Sequence, residues 1–392
     1  MYDIEKYCEA RSVEEAVGYL KSDEKAQVIC GGTDVLVKLR DGKGAGCTLV
    51  SIGEIPELKG VDVMTDGTIV IGPTTPFSQI TDDPVIQRCL PYLGEAVDTG
   101  GGPQIRNAGT IGGNLCNGAT SADSAATMQT LNATLVLQGP EGSREVPVTE
   151  FYTGPGRTVR KRDEVLIAIL VKPEDYIGYS GCYIKYGKRN AMEIATLGCC
   201  VRVKLEAAEE AEDSAAAGAE NCGCGAMDNT TAAGAENSAV GAENSSSAAV
   251  EDPKAAAAGP AGKAGTAADL SGYILGDVRI GYGVAAPTPI RCPKTEELLK
   301  GRRADDPEIY GIIGTKVLEE VQPRTSWRAS KEFRLQLISE MAKRALRQAI
   351  LRGIGQGTPG ADYFPPVESE LSLEDIAREA KEAEGKGGED HA

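Results

Sequence analysis

Apolar and polar positions in the first 175 residues alternate in short runs, and these runs predict strands and helices in turn. Four apolar runs have the length and composition of buried strands, at 26–30, 48–52, 68–72 and 133–139. Amphipathic segments lie before and between these runs; the first is VEEAVGYL, where Ser12 and Glu15 form a helix capping box at its start. The pattern predicts an α+β unit in two lobes, about 1–55 and 56–175.

The C-terminal half also contains predicted strands and helices, which would form a separate domain. Strand-like runs at 197–205 and 273–286 would pair as a hairpin if the chain between them were short. A helical stripe follows, formed by Phe333, Leu337, Ile338, Met341, Ala345 and Ile350. We expect a helix that ends near Gly353 and covers one face of the sheet. This second α+β domain would span 176–352.

Two segments carry most of the acidic charge. Residues 206–269 contain 12 acidic residues and 2 lysines, are rich in Ala, Gly and Ser, and repeat the motif GAEN. Because the segment has few large apolar side chains, it cannot bury enough surface to offset the entropy cost of ordering. This insert is therefore predicted to be disordered. The tail, 353–392, is also acidic. The formal charge of −17 belongs to these two segments, and no basic stripe indicates nucleic-acid binding.

Composition excludes several kinds of site. The single histidine, His391, lies next to the C-terminus, which argues against Ser-His-Asp hydrolases and histidine-ligated metals. The 11 cysteines form no C-x-x-C pair, so we expect reduced thiols and no metal site. No apolar run is long enough to span a membrane, and the first residues do not resemble a signal peptide. A cytoplasmic location is therefore predicted.

Two glycine loops are the strongest candidates for ligand binding. The first is GGTD, Gly31 to Asp34, between a predicted strand and a helix, and the second is TIGGN at 110–114. Main-chain N–H groups at a helix start suit a pyrophosphate, and glycine lets phosphate oxygens approach the backbone. Asp123 could accept a hydrogen bond from a ribose or a ring N–H. Either loop alone could equally be a tight turn, and neither matches the Rossmann or P-loop pattern.

The two glycine loops and four further motifs, in this order along the chain, resemble the FAD-binding medium subunits of the molybdenum hydroxylases, of the xanthine dehydrogenase and carbon monoxide dehydrogenase type. The resemblance covers roughly 1–205 and 270–350. Besides the two loops, the motifs are FYTGPGRTVRKRDEVLIAI, YIKYGKRNAMEIATLGCCVRV, VRIGYGVAAPTPIRCPKTEELLKG and SWRASKEFRLQLISEMAKRAL. The resemblance implies an α+β fold, with a two-lobed PCMH-type FAD-binding domain over 1–175. A smaller α+β domain with a three-stranded sheet and helices follows.

The resemblance also implies roles for particular residues. Two loops would hold the pyrophosphate and ribityl chain of a non-covalent FAD, Asp123 would contact the flavin, Leu166 would pack near the isoalloxazine, and Lys185 would reach the ring. The loop residues are Val28, Ile29, Cys30, Gly31, Gly32, Thr33, Asp34 and Val35 in the first loop, and Thr110, Ile111, Gly112, Gly113 and Asn114 in the second. A cation near the flavin would stabilise the reduced ring.

The implied function is electron transfer inside a larger complex. A small subunit with [2Fe-2S] clusters and a large molybdopterin subunit would be the partners, and electrons would pass through FAD to NAD+ or another acceptor. Xanthine dehydrogenase is the favoured type, with CO, nicotinate, aldehyde and aromatic-thioester enzymes as alternatives. A stand-alone flavin oxidoreductase of the same fold and a structural subunit without flavin are the rival hypotheses.

Overall fold

The computed structural model describes residues 2–189, 191–208 and 270–355. The predicted disorder of the insert concerns residues that lie almost wholly outside these ranges, as does the acidic tail beyond 355. The described chain folds into the predicted mixture of helices and sheets. Its two halves pack against each other through buried side chains.

The first lobe is a three-stranded parallel sheet with two helices. Its strand order is β1-β3-β2, so the crossover through α1 joins β1 and β2, the two edges of the sheet. Ser12 caps α1 as predicted, because its hydroxyl accepts a hydrogen bond from the N–H of Glu15. The elements are β1 (Ile4–Glu9), α1 (Val13–Ser22), β2 (Ala26–Ile29), α2 (Val35–Arg40) and β3 (Cys47–Ser51).

The second lobe is a five-stranded antiparallel sheet with order β4-β5-β10-β6-β7, covered by short helices. A large hydrophobic core lies between the sheet and the helices. The strands are β4 (Val61–Val63), β5 (Ile69–Ile71), β6 (Thr134–Gly139), β7 (Gly142–Pro147) and β10 (Val165–Val171), with β8 (Tyr152–Gly154) and β9 (Arg157–Thr158) forming a separate pair. The helices are α3 (Phe77–Asp82), α4 (Pro84–Cys89), α5 (Pro91–Asp98), α6 (Pro103–Ala108), α7 (Ile111–Cys116), α8 (Asp123–Thr130) and α9 (Val148–Phe151).

The C-terminal domain is built on the expected hairpin. Its sheet has three long strands, as the resemblance implies, and a fourth strand of two residues at the edge. The two strands of the hairpin pair as far as Ala207 and Tyr273, where the 206–269 insert joins them. The elements are β11 (Tyr179–Tyr186), β12 (Leu197–Ala207), β13 (Tyr273–Gly283), β14 (Ile290–Arg291), α10 (Pro293–Leu299), α11 (Glu308–Lys316) and α12 (Lys331–Gly355).

The last helix, α12, packs on β11 and β12, which agrees with the apolar stripe in its sequence. The helix continues through Gly353, so the expectation that this glycine ends it is wrong. A Cβ at Gly353 would lie 2.8 Å from Ser180 Oγ and 2.9 Å from Leu205. The glycine lets the helix approach the sheet closely, which a sequence pattern cannot distinguish from a helix end.

A buried arginine joins the two halves of the chain. Arg202 on β12 is fully buried, and its guanidinium lies 5.2 Å from the ring of Tyr92 and 4.3 Å from that of Tyr179. It donates hydrogen bonds to the carbonyls of Thr130 and Asp175. Because Thr130 ends α8, this contact holds α8 against the C-terminal sheet. The position of α8 relative to β11 is thereby set.

Candidate functional site

The two predicted glycine loops come from different lobes and meet in space. A Cβ at Gly31 would lie 1.7 Å from the carbonyl oxygen of Ala108, and one at Gly109 would lie 3.5 Å from Thr33 Oγ1. Burial raises the pKa of the Cys30 thiol, and a hydrogen bond with the Thr110 side chain opposes that rise. The absence of a side chain at Gly31 is therefore needed for the lobes to pack together.

The first loop presents several main-chain donors. Among the described residues, no protein acceptor takes the N–H of Gly32, Thr33 or Asp34. Gly32 has a φ of +72°, a conformation that favours glycine and turns the chain into α2. Successive free N–H groups in such a turn form a concave site for an anion. The helix that follows has 6 residues, so the N–H groups matter more than its dipole.

In the second loop the glycines have different environments. Thr110 caps α7, and its hydroxyl accepts a hydrogen bond from the N–H of Gly113 at 3.2 Å. A Cβ at Gly112 would lie 2.4 Å from the Cβ of Pro73, so this glycine serves packing. Gly113 is exposed, and a Cβ there would meet only Thr110 Oγ1 within 4 Å. Gly113 is therefore the position at which the backbone is open to a ligand.

The next residue, Asn114, is oriented by the start of α8. Its side-chain oxygen accepts a hydrogen bond of 2.7 Å from the hydroxyl of Ser124, which follows Asp123 in the first turn of α8. The amide nitrogen of Asn114 is thereby directed away from Ser124. The second loop is thus linked to the first turn of α8 through one side-chain hydrogen bond, between Asn114 and Ser124.

Asp123 and Lys185, both predicted site residues, form a buried ion pair. Lys185 Nζ lies 3.0 Å from Asp123 Oδ2 and donates a second hydrogen bond of 2.8 Å to the carbonyl of Thr99. Tyr183 donates its hydroxyl to Asp123 Oδ1 at 3.0 Å. Burial raises the pKa of the Asp123 carboxyl, and Lys185 and Tyr183 oppose that rise. The cluster therefore combines a cation, an anion and a phenol.

A lysine outside the predicted set bridges the lobes near the loops. Lys38 on α2 places Nζ 2.5 Å from the side-chain oxygen of Asn117, which follows α7. The N–H of Asn117 donates to the carbonyl of Gly113, so this contact lies one helical turn from the exposed glycine. The bridge brings a positive charge to the edge of the site.

Other predicted residues lie apart from the open face of the loops. Val28 and Ile29 belong to β2, where they pair with Val50 and Ser51 of β3. Val35 begins α2 and packs against the core of the first lobe. Leu166 is 4% exposed within the core of the second lobe, in the strand that packs against α7. The part assigned to Leu166 at the flavin ring stays a prediction.

The sequence reasoning missed Tyr183, Thr99 and the Lys38–Asn117 bridge. Tyr183 could have been found, because residues two apart on a strand share a face and Lys185 was already a candidate. Thr99 contributes only a carbonyl, and no sequence pattern marks such a contact. The bridge depends on the packing of the two lobes, which local pattern does not reveal.

Metal-binding and membrane-spanning features are missing from the described part of the chain. Its residues contain no group of three or more His, Cys, Asp or Glu side chains arranged to hold a metal ion. No helix within those ranges has the length and apolar character to cross a bilayer. The two glycine loops and the Asp123 cluster remain the candidate site.

Comparison with known proteins relates this chain to a class of flavoproteins. Residues 2–173 match the family described as the FAD binding domain in molybdopterin dehydrogenase, and residues 251–349 match the CO dehydrogenase flavoprotein C-terminal domain. The solved carbon monoxide dehydrogenase from Hydrogenophaga pseudoflava, which lacks the Mo-pyranopterin moiety of its cofactor, contains a chain with the same fold. Its TM-score is 0.69 at 24% identity, covering 90% of this chain and 99% of that one.

Two curated sequences are also similar. The xanthine dehydrogenase FAD-binding subunit of Escherichia coli O157:H7 is 32% identical over 356 residues, which cover 91% of this chain and 99% of that subunit. The carbon monoxide dehydrogenase medium chain of Hydrogenophaga pseudoflava is 36% identical over 199 residues, which cover 50% of this chain and 68% of that one. The chain belongs to the family of FAD-binding oxidoreductase subunits of the molybdopterin dehydrogenases.

Proposed function

We propose that this chain is the electron-transfer subunit of a xanthine dehydrogenase-like molybdenum hydroxylase. Electrons would arrive from [2Fe-2S] clusters on one partner, after oxidation of the substrate on a molybdopterin partner, and leave to NAD+. The xanthine type is favoured because that relative matches in sequence along 91% of this chain, whereas the sequence of the carbon monoxide dehydrogenase chain matches along 50%, although its fold matches along 90%. The cytoplasmic location stays a prediction from the sequence.

The two loops fit the diphosphate of FAD. The N–H groups of Gly32, Thr33 and Asp34 lack acceptors among the described residues, and Gly113 leaves the exposed start of α7 without a side chain. Lys38 adds a positive charge at the edge. These features, taken together, are the observation that carries the proposal, because free N–H groups and a cation are the ligands that a diphosphate requires. Bound FAD would supply the exchange of electrons between one-electron clusters and a two-electron acceptor.

Lys185 and Asp123 would set the charge beside the flavin ring. The two side chains form a pair that is largely hidden from solvent, with side-chain exposures of 10% and 11%. The cation of Lys185 is therefore partly neutralised by its partner. Each charge acts strongly on a neighbouring group, because the surroundings are poorly polarisable. Removing one member leaves the other charge uncompensated.

Opposite changes in flavin potential are expected for the two members of the pair. Lys185→Met removes the cation that favours negative charge on the reduced ring, so the midpoint potential falls. Asp123→Asn leaves a cation and raises it. A change of about 30 mV corresponds to ~1.4 kcal/mol for a two-electron couple, and shifts of this order are expected. Redox titration of the bound flavin measures both, with exposed Lys172→Met as a control expected to have no effect.

Electron transfer by the purified chain and by the assembled complex tests the function. The chain alone should reduce an artificial dye with NADH but hydroxylate no purine or aldehyde. Together with the [2Fe-2S] and molybdopterin subunits from the same genome, it should reduce NAD+ at the expense of the substrate. The reason is that among its described residues the chain has no ligand set for a metal that could activate the substrate.

Substrate hydroxylation by the chain alone would contradict this assignment and favour the stand-alone oxidoreductase. If the complex oxidises its substrate but reduces only another acceptor, the electron-transfer role of this chain would stand, and NAD+ would be ruled out as the acceptor. The matched control is the same complex assembled without this chain. It should still oxidise substrate with a dye that accepts electrons from the clusters.

A further inference from the structure

Helix α8 is a short buried helix with the candidate site at one end. All of its residues, from Asp123 to Thr130, are buried, and the helix packs on β12 and β13 of the C-terminal sheet. Its 8 residues make it about 12 Å long. Asp123, which pairs with Lys185, is its first residue, and Thr130 is its last. A contact that fixes one end of so short a helix therefore also restricts the other end.

The C-terminal domain holds α8 at both ends. Near Asp123, strand β11 supplies the ammonium of Lys185. Near Thr130, strands β12 and β13 supply two guanidinium groups. Arg202 donates to the carbonyl of Thr130, and Arg279 Nη1 lies 3.5 Å from the same oxygen. The last carbonyls of a helix have no partner within the helix and carry partial negative charge, so cations at this end stabilise it.

Arg202 differs from the other cation at this end of the helix. Arg279 forms ion pairs with Asp175 and Asp277. Among the residues that the structure describes, no carboxylate forms an ion pair with Arg202. Arg202 is fully buried, and it donates to the main-chain carbonyls of Thr130 and Asp175. A buried cation is costly unless it is bonded, so these two carbonyls and the guanidinium fix one another in place.

We propose that Arg202 is a positioning residue for the flavin site, holding Asp123 against Lys185 through α8. This inference rests on the proposed function, because it takes the flavin to lie near Lys185. When the bond from Arg202 to Thr130 is lost, the C-terminal end of α8 loses its stronger contact with the sheet. Asp123 at the other end is then held less closely. Lys185 keeps its hydrogen bond to the carbonyl of Thr99 and is less neutralised by the carboxylate.

The sign of the change in flavin potential distinguishes positioning from a direct effect of charge. If Arg202 acts through α8, its removal exposes the flavin to more of the Lys185 cation. The reduced ring is then stabilised, and the midpoint potential rises. If Arg202 acts by its own charge, its removal takes a cation away from the flavin, and the potential falls, as for Lys185→Met. Loss of a residue that only stabilises the fold leaves the potential unchanged.

Redox titration of FAD bound to the full chain tests the proposal. Arg202→Met is expected to favour reduction about threefold, or roughly 15 mV for a two-electron couple. Arg202→Lys retains the charge, but an ammonium cannot span two carbonyls as the planar guanidinium does, so a rise about half as large is expected. If the methionine variant does not fold, the lysine variant decides, and a potential equal to that of the wild type would overturn the proposal.

Arg334→Met is the matched control for loss of a buried arginine. Arg334 has 2% exposure, and it donates to the carbonyl of Arg324 and the hydroxyl of Ser326, both outside α8. This variant should lose stability, but its flavin potential should remain that of the wild type. An equal rise in Arg334→Met would show that any loosening of the C-terminal domain raises the potential, and it would overturn the specific role of Arg202.

A double substitution tests the path through Asp123. In Asp123→Asn there is no carboxylate to position, so adding Arg202→Met should leave the potential of Asp123→Asn unchanged. A fall in potential that persists in the Asp123→Asn protein would overturn the proposal, because Arg202 would then act by its own charge. The FAD content of every variant is measured first. A wild type without FAD would contradict the proposed function itself, whereas wild-type potentials in both Arg202 variants with bound FAD would overturn the positioning role alone.

Discussion

Replacing Gly113 with valine is expected to abolish tight FAD binding while leaving the protein folded. Gly113 is exposed at the start of α7, and a Cβ there meets only Thr110 Oγ1, at 3.0 Å. The branched side chain would occupy the space that the diphosphate requires. Steric exclusion of about 3 kcal/mol weakens binding roughly 100-fold. The flavin content of the purified variant and titration with FAD measure the loss.

Gly311→Val is the matched control for this substitution. Gly311 is an exposed glycine in α11, and a Cβ at this position would have no neighbouring atom within 4 Å. The change therefore tests valine in a helix without a nearby ligand, and the variant should retain FAD. Full flavin occupancy in Gly113→Val would show that the second loop does not hold the phosphates, even if the chain binds FAD elsewhere.

Replacing Gly31 with alanine is expected to destabilise the contact between the two lobes. The added Cβ would lie 1.7 Å from the carbonyl oxygen of Ala108, a distance that forces the backbone to move. Forced overpacking costs about 1–3 kcal/mol, and a clash with main-chain atoms lies at the upper end. The free energy of unfolding should fall by this amount, and FAD affinity should fall with it.

Gly18→Ala separates this steric effect from the general effect of adding a methyl group. Gly18 is exposed in α1 of the same lobe, and nothing lies within 4 Å of a Cβ at this position. Alanine in a helix interior is favoured over glycine by about 0.5–1 kcal/mol, so this variant should be slightly more stable. Equal stability of Gly31→Ala and the wild type in urea denaturation would contradict the close packing of the lobes.

Local features of the fold were predictable from sequence, whereas long-range contacts were not. Ser12 with Glu15, the strand pair of the hairpin and the apolar stripe of α12 were predictable, because each depends on neighbouring residues. Gly353 was misassigned, because a glycine that ends a helix and one that allows close packing look alike in sequence.

The candidate site shows the same division. Glycine pairs in the two loops indicated that main chain is exposed to a ligand, but Gly31 and Gly112 serve packing against Ala108 and Pro73. Of the two glycines in the second loop, only Gly113 is open. The pairing of Asp123 with Lys185 joins residues on different elements, α8 and β11, and buried Arg202 helps to hold those elements together. No local pattern could predict that pairing.

Quantifying the flavin bound to the purified wild-type chain tests the central claim most directly. The protein is denatured, the released flavin is identified chromatographically, and its amount is compared with the protein concentration. We expect one FAD per chain, released without covalent attachment, and restored when FAD is added to the apoprotein. A folded chain that contains no flavin and takes up none from added FAD would contradict the claim.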